Sequence, residues 1–316
     1  MVNARFIVMT DTHFTPPGKG KDGRWWNRTL GSQSLEIGEA LISTVNDISP
    51  DFIIHCGDFT HLGDIQSFQF GVDIMNRMSC PYYIILGNHD AEQKGIRNLI
   101  RPLIENDNGN FYYSRQLAGI RFIFIDSAFW VSKDGKEYNY KNPHFVDGDD
   151  YLGLGPSQEV LDWLKHELLR NQTQPTIIVT HVPIYSKQTY PVETLQMGNP
   201  KQTFPTPYHH FASYSIHDKA INEIISKHNN VVAIFSGHWH ISDITTVNGV
   251  IHCQTGSLME YPFELRVVDK GHNQLNLSTI GLNDKKFQYD SFIPEWNNRW
   301  VAGQPDDREI SVKLNY

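Results

Sequence analysis

The chain has 316 residues, 40% hydrophobic and 20% charged, an ordinary balance for a folded protein with a sizeable core. Its formal net charge of -8 argues against a dedicated nucleic-acid binder, which would carry a basic face. No apolar run is long enough to span a bilayer and strand pattern begins within a few residues of the start, so a cytoplasmic protein with no membrane segment is expected.

Arg5 to Thr10 predicts the first strand, and Asp11-Thr12-His13 follows it at once. A parallel strand buried on both faces reads as a continuous apolar run rather than an alternating one. Open α/β sheets hold ligands just beyond the carboxyl ends of their strands, so a polar residue in that place is aimed at a site. Phe14 to Leu30, with Trp25 and Trp26, reads as a long loop bordering that site; the tryptophans either stack on a substrate base or anchor the loop. Leu35 to Ile48 has helical spacing, and Asp51 to Cys56 predicts a strand that ends in Gly57-Asp58. Asp64 to Arg77 predicts a second helix, and Pro81 to Leu86 a third strand, followed by Gly87-Asn88-His89-Asp90. This alternation is what a parallel sheet layer needs.

Phe111 to Ser114 and Ile120 to Ile125 read as antiparallel strands, and Trp130 to Gly155 as a polar, aromatic loop. Gln158 to Arg170 is the clearest helix, opened by Pro156 and Ser157. Ile177 to Thr180 leads into His181. Ser186 to Ser215, with four prolines and the pair His209-His210, reads as an insertion: a lid over the site or a contact in a homo-oligomer. Its two histidines either touch a phosphate or are simply solvated. His217 to His228 reads as a helix, and Val231 to Phe235 as the strand before Gly237-His238-Trp239-His240. Ile244 to Val247, Val250 to Gln254 and Leu265 to Val268 read as hairpin strands, with a two-residue turn at Asn248-Gly249. One domain is expected over residues 1–280, with an aromatic-rich extension, 281–316, packed on it. Cys56, Cys80 and Cys253 are odd in number and widely spaced, which suggests buried thiols.

Any one of the polar clusters after these strands occurs by chance in many chains; five in one order do not. In an extended segment i and i+2 point to the same side, so Asp11 with His13, and His238 with His240, could each grip one ion. The mixed nitrogen and oxygen donors suit two divalent or trivalent ions such as Mn, Fe, Zn or Co. The absence of thiolate from the set speaks against a structural zinc site.

The ordered set D-x-H, G-D, G-N-H-D, H and G-H-x-H resembles the signature of the calcineurin-like metallophosphoesterase superfamily, from Asp11 to His240. The resemblance implies an α/β fold of two mixed β-sheets packed as a sandwich flanked by helices. It implies that Asp11, His13 and His240 bind one metal, that Asn88, His181 and His238 bind the other, and that Asp58 bridges both. A metal-bridging hydroxide would attack the phosphorus. His89 would lie over the phosphoryl group, with Asp90 orienting it by a hydrogen bond. Compact cyclic-nucleotide and glycerophosphodiester phosphodiesterases are similar in length and motif order, so a small-molecule phosphodiester is the expected substrate. A phosphomonoesterase is the alternative. His61 is similar to a residue of DNA-repair nucleases in the superfamily, but the acidic balance and the lack of a Lys/Arg cluster near a motif oppose that reading. No ligand position is missing, which opposes a non-catalytic scaffold.

Overall fold

Apolar runs along the chain become strands wherever both faces can be covered. The computed structural model of the chain describes residues 3–23, 29–104, 110–142, 151–185, 215–292, 294 and 298–314. The amino-terminal half contributes β1 (Ala4–Met9), α1 (Ser34–Ile48), β2 (Phe52–His55), α2 (Ile65–Met75), β3 (Tyr82–Ile84) and α3 (Ile96–Ile100). Then follow β4 (Tyr113–Leu117), β5 (Ile120–Phe124), β6 (Phe129–Ser132), β7 (Glu137–Tyr138), β8 (Tyr151–Gly155) and α4 (Gln158–Arg170). The remainder is β9 (Thr176–Val179), α5 (Asp218–Ile225), β10 (Val231–Ser236), β11 (Asp243–Val247), β12 (Val250–Gln254), β13 (Glu264–Lys270), β14 (Gln274–Gly281), α6 (Lys286–Ser291) and β15 (Glu309–Lys313).

Among the described residues there are two six-stranded sheets, ordered β15-β14-β13-β1-β2-β3 and β11-β12-β10-β9-β5-β4. In the first, β1, β2 and β3 run parallel, and β13, β14 and β15 extend it antiparallel. In the second, β12, β10, β9 and β5 run parallel, with antiparallel β11 and β4 at the edges. Both sheets are mixed, and they pack face to face. Phe6, Val8, Phe52 and Ile54 from one meet Phe122, Phe124, Val179 and Phe235 from the other. The outer face of the first sheet is covered by α1 and α2 through Leu41, Val45, Phe68 and Met75. The outer face of the second is covered by α4 and α5 through Leu161, Leu164, Ile221 and Ile225. This is the α/β sandwich flanked by helices that the family resemblance implies.

Local chemistry sets the element ends. The Asp64 carboxylate accepts the Ser67 N–H at 2.7 Å and starts α2. Helix α1 stops at Ser49, whose left-handed backbone precedes Pro50. Asn248 and Gly249 both have positive φ, as a type I′ hairpin between β11 and β12 requires.

Several expectations are corrected. The 130–155 stretch is not simply loop: β6 pairs antiparallel with both β7 and β8 in a small three-stranded sheet. Trp130, Val131 and Leu154 are buried there, so Trp130 serves packing. The segment Leu265 to Val268 is a hairpin strand as expected: it is the centre of β13, which forms its hairpin with β14 and pairs with β1 in the first sheet. The helix expected over 217–228 is shorter, Asp218–Ile225. The extension beyond 281 contributes β15, which pairs with β14 and so belongs to the first sheet. Cys56 and Cys253 are buried thiols as expected, whereas Cys80 is partly exposed. Trp25, Trp26, His209, His210 and nearly all of the 186–215 insertion lie outside the described residues. No helix among the described residues is long and apolar enough to cross a membrane.

Candidate metal centre

Strands β1, β2, β9 and β10 end close together, and the turns that follow them converge. Backbone hydrogen bonds join the first two turns: Asp11 N to Gly57 O at 2.9 Å, His13 N to Asp58 O at 3.1 Å and Phe14 N to Phe59 O at 2.8 Å. The turn after β10 is tied to that after β9 by Gly237 N to His181 O at 3.0 Å. Glycine is required at two crossings. A Cβ on Gly87 would lie 2.1 Å from Asp58 Oδ1, and one on Gly237 would lie 2.0 Å from Thr10 Oγ1.

The side chains thus gathered form two groups that share Asp58, and His13 with His61 and His89 makes a third at the open side. Asp11, His13, Asp58 and His240 present donor atoms within 4.8 Å of one another, and so do Asp58, His181 and His238. His13 Nε2 faces His240 Nε2 at 3.1 Å, and His240 Nε2 lies 3.2 Å from Asp11 Oδ1. On the other side, His181 Nε2 lies 3.2 Å from both Asn88 Oδ1 and His238 Nδ1. Asp58 faces both groups: Oδ1 is 3.4 Å from His181 Nε2, and Oδ2 is 3.8 Å from His13 Nε2.

The backbone of these residues is unusual. Asp11, His13, Asp58, His238 and His240 all have positive φ, between 44° and 75°. The i, i+2 pairs therefore meet through left-handed turns, not through the extended backbone expected from spacing alone. Each such conformation costs on the order of 1–3 kcal/mol, and at a cluster like this it marks a functional geometry held by its surroundings.

The electrostatics describe a site that wants cations. Burial works against the Asp58 charge, yet the neighbouring His181 and His89 hold its carboxyl well below the usual range. Burial likewise opposes Asp11, and His240 draws it down. His181 pays burial but is pushed up to about 9 by Asp58, and His240 is pushed up to about 10 by Glu260 and Asp11 against the same opposition. Protons on these rings balance the two carboxylates where a metal ion would do so more directly. Asp11 Oδ2 accepts from both Thr10 Oγ1 and His238 N, while the buried Oδ1 makes no well-formed hydrogen bond and faces His240 Nε2 at 3.2 Å. A free carboxylate lone pair beside facing imidazole nitrogens fits a metal ligand set.

Two further histidines stand at the open side. His89 and Asn88 are partly exposed, as are His61 and His238. The His89 ring is 4.9 Å from His13 and 5.0 Å from His61, centroid to centroid. Asp90 does not orient it. The Asp90 carboxylate accepts from Phe59 N and Gly87 N at 2.9 Å each, from Thr60 N at 2.7 Å and from Thr60 Oγ1 at 2.9 Å. Those four bonds clamp the turns carrying Asp58 and Asn88 together. His89 instead places Nδ1 3.0 Å from the carbonyl of His61. A carbonyl only accepts, so Nδ1 carries the proton.

Sequence reasoning did not find three supports of the site. Ser127 Oγ accepts the N–H groups of His181 and Val182 at 3.2 and 3.0 Å. The Cys56 carbonyl accepts from His181 Nδ1 at 2.9 Å. Glu260 accepts from His240 Nδ1. Two of these act through a backbone carbonyl or a lone hydroxyl, and Glu260 lies in an irregular segment, so no spacing flags them. Lys19, Lys21, His61 and Leu62 line an open cleft, which brings part of the loop after Phe14 to the rim of the site as expected.

A model of the calcineurin-like phosphoesterase family matches residues 4–242. The chain is 23% identical over 256 residues to a protein of Arcobacter nitrofigilis named "Probable glycerophosphodiester phosphodiesterase", covering 78% of this chain and 75% of that one. It is 22% identical over 272 residues to a "Probable cyclic nucleotide phosphodiesterase" of Rhodopseudomonas palustris, covering 85% and 82% of the two chains. Among solved structures, a dimetal phosphatase from Danio rerio matches with a TM-score of 0.64 over 89% of this chain and 97% of that one. At 13% identity that likeness is one of fold.

Proposed function

We propose, from the premise that this chain belongs to the calcineurin-like phosphoesterase family, that it hydrolyses a small-molecule phosphodiester at a pair of metal ions. Asp11, His13 and His240 would hold one ion and Asn88, His181 and His238 the other, with Asp58 shared. The observation that carries this reading is the Asp58 carboxylate, whose two oxygens face separate donor groups. The donors suit Mn, Fe, Zn or Co. Two such ions, when bound, supply activation of water and stabilisation of phosphoryl charge.

The chain's own residues supply the rest. His89 stands at the open side, fixed through Nδ1–H by the His61 carbonyl, which leaves Nε2 as the nitrogen that can exchange a proton with a substrate. That position suits protonation of a departing alkoxide, a poor leaving group without a proton. Lys21 at the cleft favours approach of an anion, whereas Lys19 beside it is paired with Asp64 at 3.4 Å. The two relatives named as phosphodiesterases support the diester over the monoester.

The test is turnover of bis-p-nitrophenyl phosphate against p-nitrophenyl phosphate by chain stripped of metal and reloaded with Mn. Preference for the diester, lost in Asp58→Ala, is expected. Preference for the monoester would replace this reading with a phosphomonoesterase. Folded, metal-loaded protein inert on both would reject it.

A further inference from the structure

Glu260 is wholly buried, and it lies outside the 4–242 span that the family model matches. A carboxylate in such a place is costly unless its oxygens are well partnered. Its partner here is His240, whose Nδ1 meets Glu260 Oε1. Because a carboxylate only accepts, Nδ1 keeps a proton, so the nitrogen that gives up its proton and offers a lone pair to a metal is Nε2. That nitrogen faces His13 Nε2 at 3.1 Å and Asp11 Oδ1 at 3.2 Å.

The segment around Glu260 grips the same side of the site a second time. Ser257 Oγ and Leu258 N both donate to the carbonyl of Asp11, at 2.8 and 3.3 Å, and Phe263 N closes a turn onto Glu260 O at 2.8 Å. One stretch between β12 and β13 therefore holds the backbone of Asp11 and the ring of His240 together. Among the described residues the opposite donor group has no buried carboxylate behind a ring: His181 Nδ1 is held by the neutral carbonyl of Cys56. Both acceptors fix the same tautomer, but only Glu260 adds a full negative charge behind the ring, which makes the imidazole a stronger donor.

We infer that Glu260 is a positioning residue for the metal site of Asp11, His13 and His240, acting through the His240 ring to orient Nε2 and strengthen it as a ligand. The inference rests on the metal-site reading above, and the experiment separates the two. Mn affinity of the full-length chain is measured by competition with a chelator for the wild type, Glu260→Gln, His240→Ala and the double variant. The melting temperature of each metal-free protein is recorded alongside.

Glu260→Gln keeps the shape and an oxygen for Nδ1 but removes the charge. It is expected to weaken one of the two binding steps by about 10-fold while leaving the other unchanged. In the His240→Ala background the same change is expected to have no effect on affinity. Unchanged affinity in Glu260→Gln would overturn the inference, and so would an equal loss with and without His240, which marks a general structural role. A wild-type chain that binds no metal would overturn the parent reading, and this one with it. A second measurement needs no variant. In the zinc-loaded wild type, histidine nitrogen NMR should find the His240 proton on Nδ1 and the metal on Nε2; the reverse would overturn the assignment.

Discussion

Asp90 and His89 are neighbours in sequence with separate tasks in space. The four donors on the Asp90 carboxylate come from Phe59, Thr60 and Gly87, so this side chain fastens the second and third turns to each other. Asp90→Asn would turn an NH2 group toward one pair of those donors. On the Thr60 side the hydroxyl can turn to accept and only Thr60 N is left unmatched, so a loss of about 1–3 kcal/mol is expected, and denaturant unfolding would check it. A stability equal to wild type would show that the clamp is not needed. His89→Ala should leave fold and metal content unchanged while turnover falls roughly 100-fold or more, the usual worth of a general acid. An accompanying loss of metal would instead make His89 a ligand. At this scale the sequence names most of the side chains that the structure gathers, since donor types directly after apolar strands announce themselves. It does not disclose that Asp11, His13, Asp58, His238 and His240 adopt left-handed backbone, because that conformation is imposed by the packing of one turn on another.

Strands buried on both faces were the most legible elements. β1, β2, β9 and β10 are continuous apolar runs, and the structure has them where the pattern puts them. Edge elements were not. β7 has only two residues, and β15 buries just one of its five, so neither carries a period to read. The small sheet containing β7 is attached through Arg97, which follows the third cluster. Its guanidinium pairs with Asp126 and donates to the carbonyls of Ala128 and Asn139 at 2.8 and 2.9 Å. Both charges are buried, Arg97 at 7% exposure and Asp126 at 2%. Arg97→Ala strands the Asp126 charge, and a destabilisation of about 3–5 kcal/mol is expected in denaturant unfolding. A change under about 1 kcal/mol would mean that water or a rearranged neighbour replaces the pair. No spacing rule links residue 97 to residue 126, which is why such a tie escapes sequence reading.

Across the whole molecule, parallel strands in two sheets bring their carboxyl ends to one place, and the carboxy-terminal segment closes behind them. Ser242 N donates to Val301 O at 2.8 Å and Ile244 N to Asp307 Oδ1 at 3.0 Å, so the tail holds the chain just after His240. A site assembled from this many elements should share its binding energy with the fold. Removing metal with a chelator should therefore lower the melting temperature. Saturation at 100 times the dissociation constant contributes about 2.7 kcal/mol per ion, and differential scanning fluorimetry with and without chelator reads it. The most direct test of the account is the number of metal ions bound per chain at saturation, by mass spectrometry of metal content, in the wild type and Asp58→Ala. Two ions in the wild type, with a clear loss in Asp58→Ala, is the predicted result. A single ion in the wild type, or two ions held as tightly without Asp58, would contradict a shared carboxylate at a paired site.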